Sequence, residues 1–257
     1  MKYSGGTFAG HKVILCSPKI TVVRHRCTPN SRLPEEPRVE KIINWGPCRD
    51  LSDVRAFLGT IGIIRIFIRN FAHCVYALTK LMHKEEPFHF GPDQITAQEN
   101  LKATLLASPA LCLIDYSSAA PVILAVDTLH IAVGFYLCQC DPDNSKICYY
   151  ARFGSITLND HEARFSQPKL KLYGLFRALR SLKLYGLFRA LRSLKLYLIG
   201  IRNLIIEVDA RYIKGMLTNP DLEPSASINC WILSILTFHF TLVHVPGTLH
   251  TPNGLSH

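Results

Sequence analysis

Two apolar segments that each end in an aspartate constrain the fold of this 257-residue chain more than any other feature. The first segment ends at Asp127 and the second at Asp209. Runs of valine, isoleucine and leucine bounded by turn residues predict buried β-strands. A carboxylate at the end of a buried strand is costly unless a partner binds it, and a metal ion is a usual partner. A turn or capping aspartate between two strands is the alternative interpretation.

The C-terminal part of the sequence alternates between strand and helix patterns. Apolar, β-branched runs predict five strands, at residues 121–127, 131–139, 147–157, 203–209 and 240–245. Helical patterns begin at about residue 167 and recur at residues 211–217 and 226–237. This order predicts an α/β fold, in which a mixed five-stranded sheet carries helices on both faces.

The N-terminal part predicts a small hairpin followed by helices. Residues 12–25 give an apolar strand, a Ser-Pro turn and a β-branched strand. Asp50 is placed to start a helix, and helical patterns continue to about residue 107. We therefore expect three units, which are a hairpin at residues 1–37, a helical domain at 38–112 and the α/β domain at 113–257.

Composition narrows the class of protein. Hydrophobic residues make up 48% of the chain, enough for packed cores, and the net charge of +10 is typical of proteins that bind nucleic-acid phosphates. No apolar run reaches membrane length and the N-terminus lacks a signal-peptide pattern, so we expect an intracellular protein, in the nucleus or the cytoplasm. The nine cysteines predict reduced thiols. The spacing of Cys138, Cys140, Cys148 and His161 fits no standard zinc finger.

The two strands that deliver aspartates resemble those of the ribonuclease H domain of a reverse transcriptase. Residues 164–170, 208–212 and 244–257 are similar to the corresponding segments of gypsy-type LTR retrotransposon polyproteins, and residues 63–71 are similar to the thumb of their reverse transcriptase. The resemblance implies a ribonuclease H-like domain preceded by a thumb-like helical domain. It also implies Mg²⁺ as cofactor and an RNA·DNA hybrid or another nucleic acid as partner. On this interpretation the chain is a degenerate, truncated piece of such a polyprotein.

The resemblance further implies a metal site built from four carboxylates. Asp127 and Asp209 keep two of them, on the first and fourth strands. Lys171 and Asn253 stand where the family has a glutamate and an aspartate. Two Mg²⁺ ions about 4 Å apart need several converging carboxylates, because hard oxygen ligands must offset the repulsion between the ions.

Nearby acids do not replace the missing ligands. Glu162 precedes the helix, and Glu207 lies two residues before Asp209, so neither falls on the motif. We therefore expect Mg²⁺ to bind weakly or not at all, and the chain to lack nuclease activity and any small-molecule cofactor. An active Mg²⁺-dependent endonuclease that cuts RNA in hybrids and a non-enzymatic nucleic-acid-binding module are the alternatives. No Tyr-x-Asp-Asp sequence occurs, so the polymerase site is absent.

Three basic residues of the thumb-like segment are candidates for binding phosphate. They are Arg65, Arg69 and Lys80. The alternative is that these side chains form solvated helix faces without a nucleic-acid role.

Residues 170–181 are followed by an identical copy at residues 182–193. A continuous helix would gain about 18 Å from the extra copy, and its apolar stripe would turn by roughly 120°. Both stripes cannot face one sheet. The sequence therefore predicts that one copy loops out or that the helix extends past the sheet.

Overall fold

The structure is a computed structural model. It describes residue 10 and residues 16–83, 87–144, 147–190, 201, 203–208, 212–218 and 226–245, with the backbone alone for 180–190 and 226–227. The predicted strand at the start of residues 12–25, the site positions Asp209 and Asn253, and the side chains of the second repeat copy lie outside these described residues.

A mixed five-stranded sheet forms the centre of the C-terminal part. Its strands are β5 (Val122–Thr128), β6 (Ala132–Cys140), β7 (Cys148–Thr157), β8 (Leu204–Val208) and β9 (Thr241–His244). The spatial order is β7-β6-β5-β8-β9. β5, β6 and β7 pair antiparallel, whereas β8 pairs in parallel with both β5 and β9. The predicted α/β fold with a mixed five-stranded sheet is confirmed, and the strands and helices follow one another along the chain in the predicted order.

One face of this sheet is covered by the C-terminal helices. The helices after β7 are α6 (Asp160–Ala163), α7 (Gln167–Ala190), α8 (Tyr212–Thr218) and α9 (Ala226–Leu236). Every second residue of β5 points into this core, beginning with Val122 and Leu124, as the period of a strand requires. Leu172 and Leu175 of α7 and Ile232 of α9 are fully buried against them. The hydrophobic effect of this burial holds the helices on the sheet.

The other face is covered by the N-terminal helices. They are α1 (Glu36–Ile43), α2 (Leu51–Gly62), α3 (Phe71–Cys74), α4 (Tyr76–Lys80) and α5 (Pro92–Leu106), with a 3₁₀ turn at Arg65–Phe67. Asp50 caps α2 as expected, because its Oδ1 accepts a hydrogen bond of 2.7 Å from the Asp53 amide. Ala125, Tyr136 and Phe153 of the sheet belong to the same core as these helices. The domain boundaries at residues 37 and 112 stay a prediction.

A smaller sheet precedes α1. Its four antiparallel strands are β1 (Ile20–Val22), β2 (His25–Cys27), β3 (Ser31–Pro34) and β4 (Leu111–Cys112). The hairpin of β1 and β2 turns at Val23 and Arg24, whose φ angles of 49° and 65° place both in the left-handed region. Two left-handed central residues match the twist of a two-residue hairpin. The described hairpin therefore turns at Val23 and Arg24. The predicted turn at the Ser-Pro sequence follows a strand outside the described residues and stays a prediction.

Helix α7 runs through the junction between the two repeat copies and is described as far as Ala190. Its 24 described residues span about 36 Å. The first copy supplies the buried face, with Leu170, Leu175 and Leu179 almost fully enclosed. Despite its length, neither α7 nor any other helix in the described ranges is long and apolar enough to cross a membrane.

Gly174 lets α7 approach the sheet closely. A Cβ atom at this position would collide with the side-chain hydroxyl of Thr128, which ends β5 and is only 2% exposed. Because Thr128 is enclosed, its side chain has no room to move away. A glycine is therefore required where helix and strand cross.

We predict that Gly174→Ala lowers the free energy of unfolding by about 2 kcal/mol, because steric strain exceeds the gain in helix propensity. Gly59→Ala is the matched control, since Gly59 is also inside a helix but has open space around its Cβ position. This control should raise stability by up to about 1 kcal/mol. Urea unfolding of both variants measures the difference. Equal effects of the two substitutions would contradict the close approach.

Candidate functional site

Asp127 lies at the end of β5, in the strand position that the sequence predicts. It is 5% exposed, and across the sheet it faces Gly134 of β6. The preceding residues of β5 are apolar and all but Ile123 are buried, so the strand carries this carboxylate into a region of low water content. A charge in such a place requires a compensating partner.

Lys171 of α7 is that partner. Its Nζ lies 2.8 Å from Oδ1 of Asp127, and the two side chains are only 13% and 6% exposed. Lys171 is one helical turn before Gly174, so both residues are on the helix face that meets β5. The close approach at Gly174 therefore brings the ammonium group within reach of the carboxylate.

The ion pair changes what this position can bind. An ammonium group donates hydrogen bonds and carries a positive charge, so it occupies the carboxylate oxygen that a divalent cation would otherwise ligate. If either partner were removed, the other would be left as a buried charge without compensation. Each side chain therefore stabilises the other in its place. Within the described part of the chain, no three histidine, cysteine, aspartate or glutamate side chains are grouped to hold a metal ion. The described residues do not fit a two-metal site.

A small cleft opens beside Asp127 on the face covered by the N-terminal helices. Its volume is about 20 Å³, enough for one water molecule, and its polar lining includes Asn70, His73 and Ser155. Asn70 has a φ of 51°, a left-handed conformation that asparagine adopts more readily than most residues. The Ser155 hydroxyl accepts a hydrogen bond of 2.8 Å from the Ala72 amide, which fixes the start of α3 against β7.

Asp209 and Asn253 are the other predicted positions of the site. Asp209 follows β8 and Asn253 follows β9, and both fall outside the described residues. β8 pairs with β5 in parallel up to Val208, opposite Val126. The end of β8 therefore lies next to the end of β5. The roles of Asp209 and Asn253 stay predictions.

Glu162 serves a structural role. It accepts hydrogen bonds from the Asn159 amide, the Tyr173 hydroxyl and the Arg177 guanidinium, which join α6 to α7. Burial alone would raise the pKa of Glu162, but these hydrogen bonds and the Arg177 charge outweigh it and hold the pKa below its ordinary value. The expectation that Glu162 is not a metal ligand agrees with these contacts.

Glu207 lies on β8 between Ile206 and Val208, which are buried in the core under α7. Successive side chains of a strand alternate between faces, so Glu207 is on the opposite face of the sheet. Partial burial raises the pKa of its carboxyl group.

The three candidate phosphate-binding residues have different surroundings. Arg65 and Lys80 are exposed. Arg69 is half-buried, with its guanidinium carbon 5.3–5.4 Å from the ring centres of Tyr136, Tyr150 and Phe153. It also donates a hydrogen bond of 3.0 Å to the Tyr150 hydroxyl. Arg69 therefore attaches the segment between α2 and α3 to the sheet through cation–π contacts.

The sequence predicted that Lys171 stands where the resemblance implies a glutamate, and this stays a prediction; the direct pairing of Lys171 with Asp127 was not predicted. A lysine placed on the helix face opposite a buried aspartate was the available signal. Sequence reasoning also missed the cleft at Asn70, His73 and Ser155. An asparagine is a weak signal of the left-handed conformation of residue 70, but it does not locate the cleft.

Comparison with known proteins agrees with this geometry. Residues 90–198 match the family described as an RNase H-like domain found in reverse transcriptase. The matched region is a reverse-transcriptase RNase H-like domain. It contains both Asp127 and Lys171, so the ion pair lies inside the domain.

The chain is also similar to polyproteins of retrotransposons. The Tf2-3 and Tf2-4 transposon polyproteins of Schizosaccharomyces pombe are each 25% identical to it over 224 residues, which cover 87% of this chain. The match spans 16% of the length of either relative. The resemblance to gypsy-type LTR retrotransposon polyproteins is thereby confirmed.

Solved structures show the same fold. A foamy viral protease-reverse transcriptase in complex with an RNA/DNA hybrid matches with a TM-score of 0.65 and 16% identity, over 91% of this chain and 30% of the viral chain. A dRH form of that viral protein in complex with double-stranded DNA gives a TM-score of 0.64 at 16% identity, over 88% and 38% of the two chains.

We predict strong coupling between Lys171 and Asp127. Each of Lys171→Met and Asp127→Asn should lower the free energy of unfolding by about 3–5 kcal/mol, because each leaves one buried charge without its partner. The double variant should regain most of that loss, since it buries no charge. A double-mutant cycle by urea unfolding measures the coupling. Additive losses in the double variant would show that the two side chains do not interact.

Proposed function

We propose that this chain is an RNase H-like domain of the retrotransposon type that binds nucleic acid and does not cut it. The observation that carries the proposal is the ion pair of 2.8 Å between Lys171 and Asp127. The chemistry of the family depends on cations held by carboxylates. Here one of those carboxylates is neutralised by the protein itself.

The exchange of a glutamate for Lys171 should weaken metal binding, and a Coulomb estimate gives the magnitude. Exchanging a glutamate for Lys171 shifts the local charge by two units. At an effective dielectric near 20, one unit pair at 4 Å is worth about 4 kcal/mol, which corresponds to roughly a thousandfold in metal affinity. Asn253 would supply one neutral oxygen in place of a charged one. Asp127 and Asp209 alone would then face two repelling cations.

The proposed partner is a nucleic acid. The matching foamy viral proteins were solved with double-stranded DNA and with an RNA/DNA hybrid. The net charge of +10 favours binding of a polyanion, and Arg65 and Lys80 expose their charges on the helical segment. These features support a hybrid- or duplex-binding role that does not need the metal site.

We predict that wild-type protein leaves a labelled RNA·DNA hybrid intact with Mg²⁺ or Mn²⁺. The Lys171→Glu/Asn253→Asp variant restores four carboxylates and should cut the RNA strand in a Mg²⁺-dependent reaction. Lys171→Gln is the matched control, because it removes the positive charge without adding a ligand, and it should stay inactive.

Thermal unfolding gives a readout that does not depend on activity. Mg²⁺ should raise the melting temperature of the double variant, since only that variant brings together carboxylates that repel each other without a cation. The wild type and Lys171→Gln should not respond. Cleavage by the wild type, or a Mg²⁺-stabilised double variant that cuts nothing, would refute the assignment of these positions.

Binding should depend on salt through the exposed cations. We predict that Arg65→Ala weakens hybrid binding and reduces the slope of log affinity against log salt by about 1, because one phosphate contact is lost. Arg69→Ala is the matched comparison, and it should leave the slope unchanged. Loss of the cation–π contacts should instead lower stability by about 2 kcal/mol. A salt-independent affinity of the wild type would exclude the nucleic-acid role.

A further inference from the structure

Two cysteines face each other across the outer pair of strands, away from the candidate site. Cys140 ends β6 and Cys148 begins β7, and the strand register places them directly opposite. The Cys140 amide donates to Pro121 on the other side of β6, and the Asp141 amide donates to Ile147. Cys140 and Cys148 are therefore a non-hydrogen-bonded pair of the antiparallel ladder.

Such pairs bring side chains close together. Their Cα atoms are about 4.5 Å apart, which is inside the range of about 4.4–6.8 Å that a disulfide requires. The Sγ atoms of Cys140 and Cys148 are 3.0 Å apart. All nine cysteines are among the described residues, and none of them forms a disulfide. Only a small movement of two side chains separates this dithiol from a bonded pair.

We propose that Cys140 and Cys148 are an oxidisable thiol pair, which a small disulfide such as glutathione disulfide converts into a cross-strand disulfide. The Cys148 thiolate attacks one sulfur of glutathione disulfide and releases one glutathione thiolate. The Cys140 thiolate then attacks the Cys148 sulfur and releases the second. Two protein thiols are oxidised, two glutathione molecules are formed, and the thiol protons pass through solvent to the released thiolates.

Exposure assigns the order of the two steps. Cys148 is half-buried and can be reached by the oxidant, whereas Cys140 is 4% exposed. Burial, together with the contact to Cys148, raises the pKa of Cys140 above its ordinary value. Cys140 therefore reacts only when the mixed disulfide is already beside it. The neighbouring Cys138 is opposite Tyr150 in the strand register, and its thiol also makes a diagonal contact with the Cys148 thiol. Burial raises the pKa of Cys138 far above its ordinary value, so it reacts less readily than Cys140.

The bond would lock the strand that holds the N-terminal helices. Tyr150 is two residues after Cys148 on the same face of β7, and it accepts the hydrogen bond from Arg69. A disulfide at Cys148 would close the hairpin and fix β7 beside that contact. The pair is about 20 Å along β6 from Gly134, so its oxidation is independent of the ion pair at Asp127.

The test uses the full chain in glutathione buffers of increasing oxidised fraction. After the remaining thiols are blocked with an alkylating agent, peptide mass spectrometry should find one crosslink, between Cys140 and Cys148. Cys140→Ser should stop at a glutathione adduct on Cys148, and Cys148→Ser should give neither product at this pair. Cys138→Ala and Cys230→Ser are matched controls that keep the crosslink.

Thermal unfolding of the unsubstituted chain gives a second measurement that needs no variant. Oxidation should raise its melting temperature by about 5 °C, and a reductant should reverse the change. Cys140 and Cys148 that stay alkylatable in excess glutathione disulfide would overturn the proposal. A crosslink that maps to Cys138 would overturn it as well.

Discussion

Strand β5 is buried along almost its whole length, and the rest of the structure follows from the need to cover both of its faces. Val122, Leu124 and Val126 require apolar partners on one side, and α7 with α9 supplies them. Ala125 requires them on the other, where the N-terminal helices pack. Burying apolar area is the main favourable term in folding, so the two helical layers and the sheet stabilise one another. The hydrophobic effect has no preferred direction, whereas the cation–π contacts of Arg69 with three aromatic rings of the sheet do. These contacts therefore help to fix the orientation of the N-terminal helices on the sheet.

The same burial decides the chemistry at the end of the strand. Asp127 is enclosed by the layers that protect β5, so its charge must be neutralised from within the site. Cations can do this in a metal-dependent domain, and Lys171 does it here. The two solutions compete, because the Lys171 ammonium group already binds Oδ1 of this carboxylate. Fold and site chemistry depend on different residues, so a recognisable RNase H-like fold does not by itself establish an active nuclease site.

Much of the fold was predictable from local patterns. The strands at β5, β6 and β7 were predicted within one residue at either end, because apolar β-branched runs bounded by turn residues have few alternatives. Interactions between distant segments were not predictable in the same way. The N-terminal helices pack on Tyr136 and Phe153, and a larger residue at Gly174 would collide with the sheet. Both facts depend on how the helices are placed over the sheet, which local sequence patterns do not determine. The left-handed turn at Val23 and Arg24 was missed because valine is disfavoured there.

Helix α7 runs unbroken from the first repeat copy into the second. Because the two copies are identical, either of them offers the same side chains to the sheet. The second copy offers Lys183 and Gly186 where the first offers Lys171 and Gly174. Docking the second copy would lengthen the connection before the helix by twelve residues, which costs only about 0.6 kcal/mol of loop entropy per doubling of length. The longer connection alone therefore does not select the first copy, and residues outside the repeat favour it. Phe165 and Lys169 precede only that copy, and both contact the aromatic cluster around Trp231.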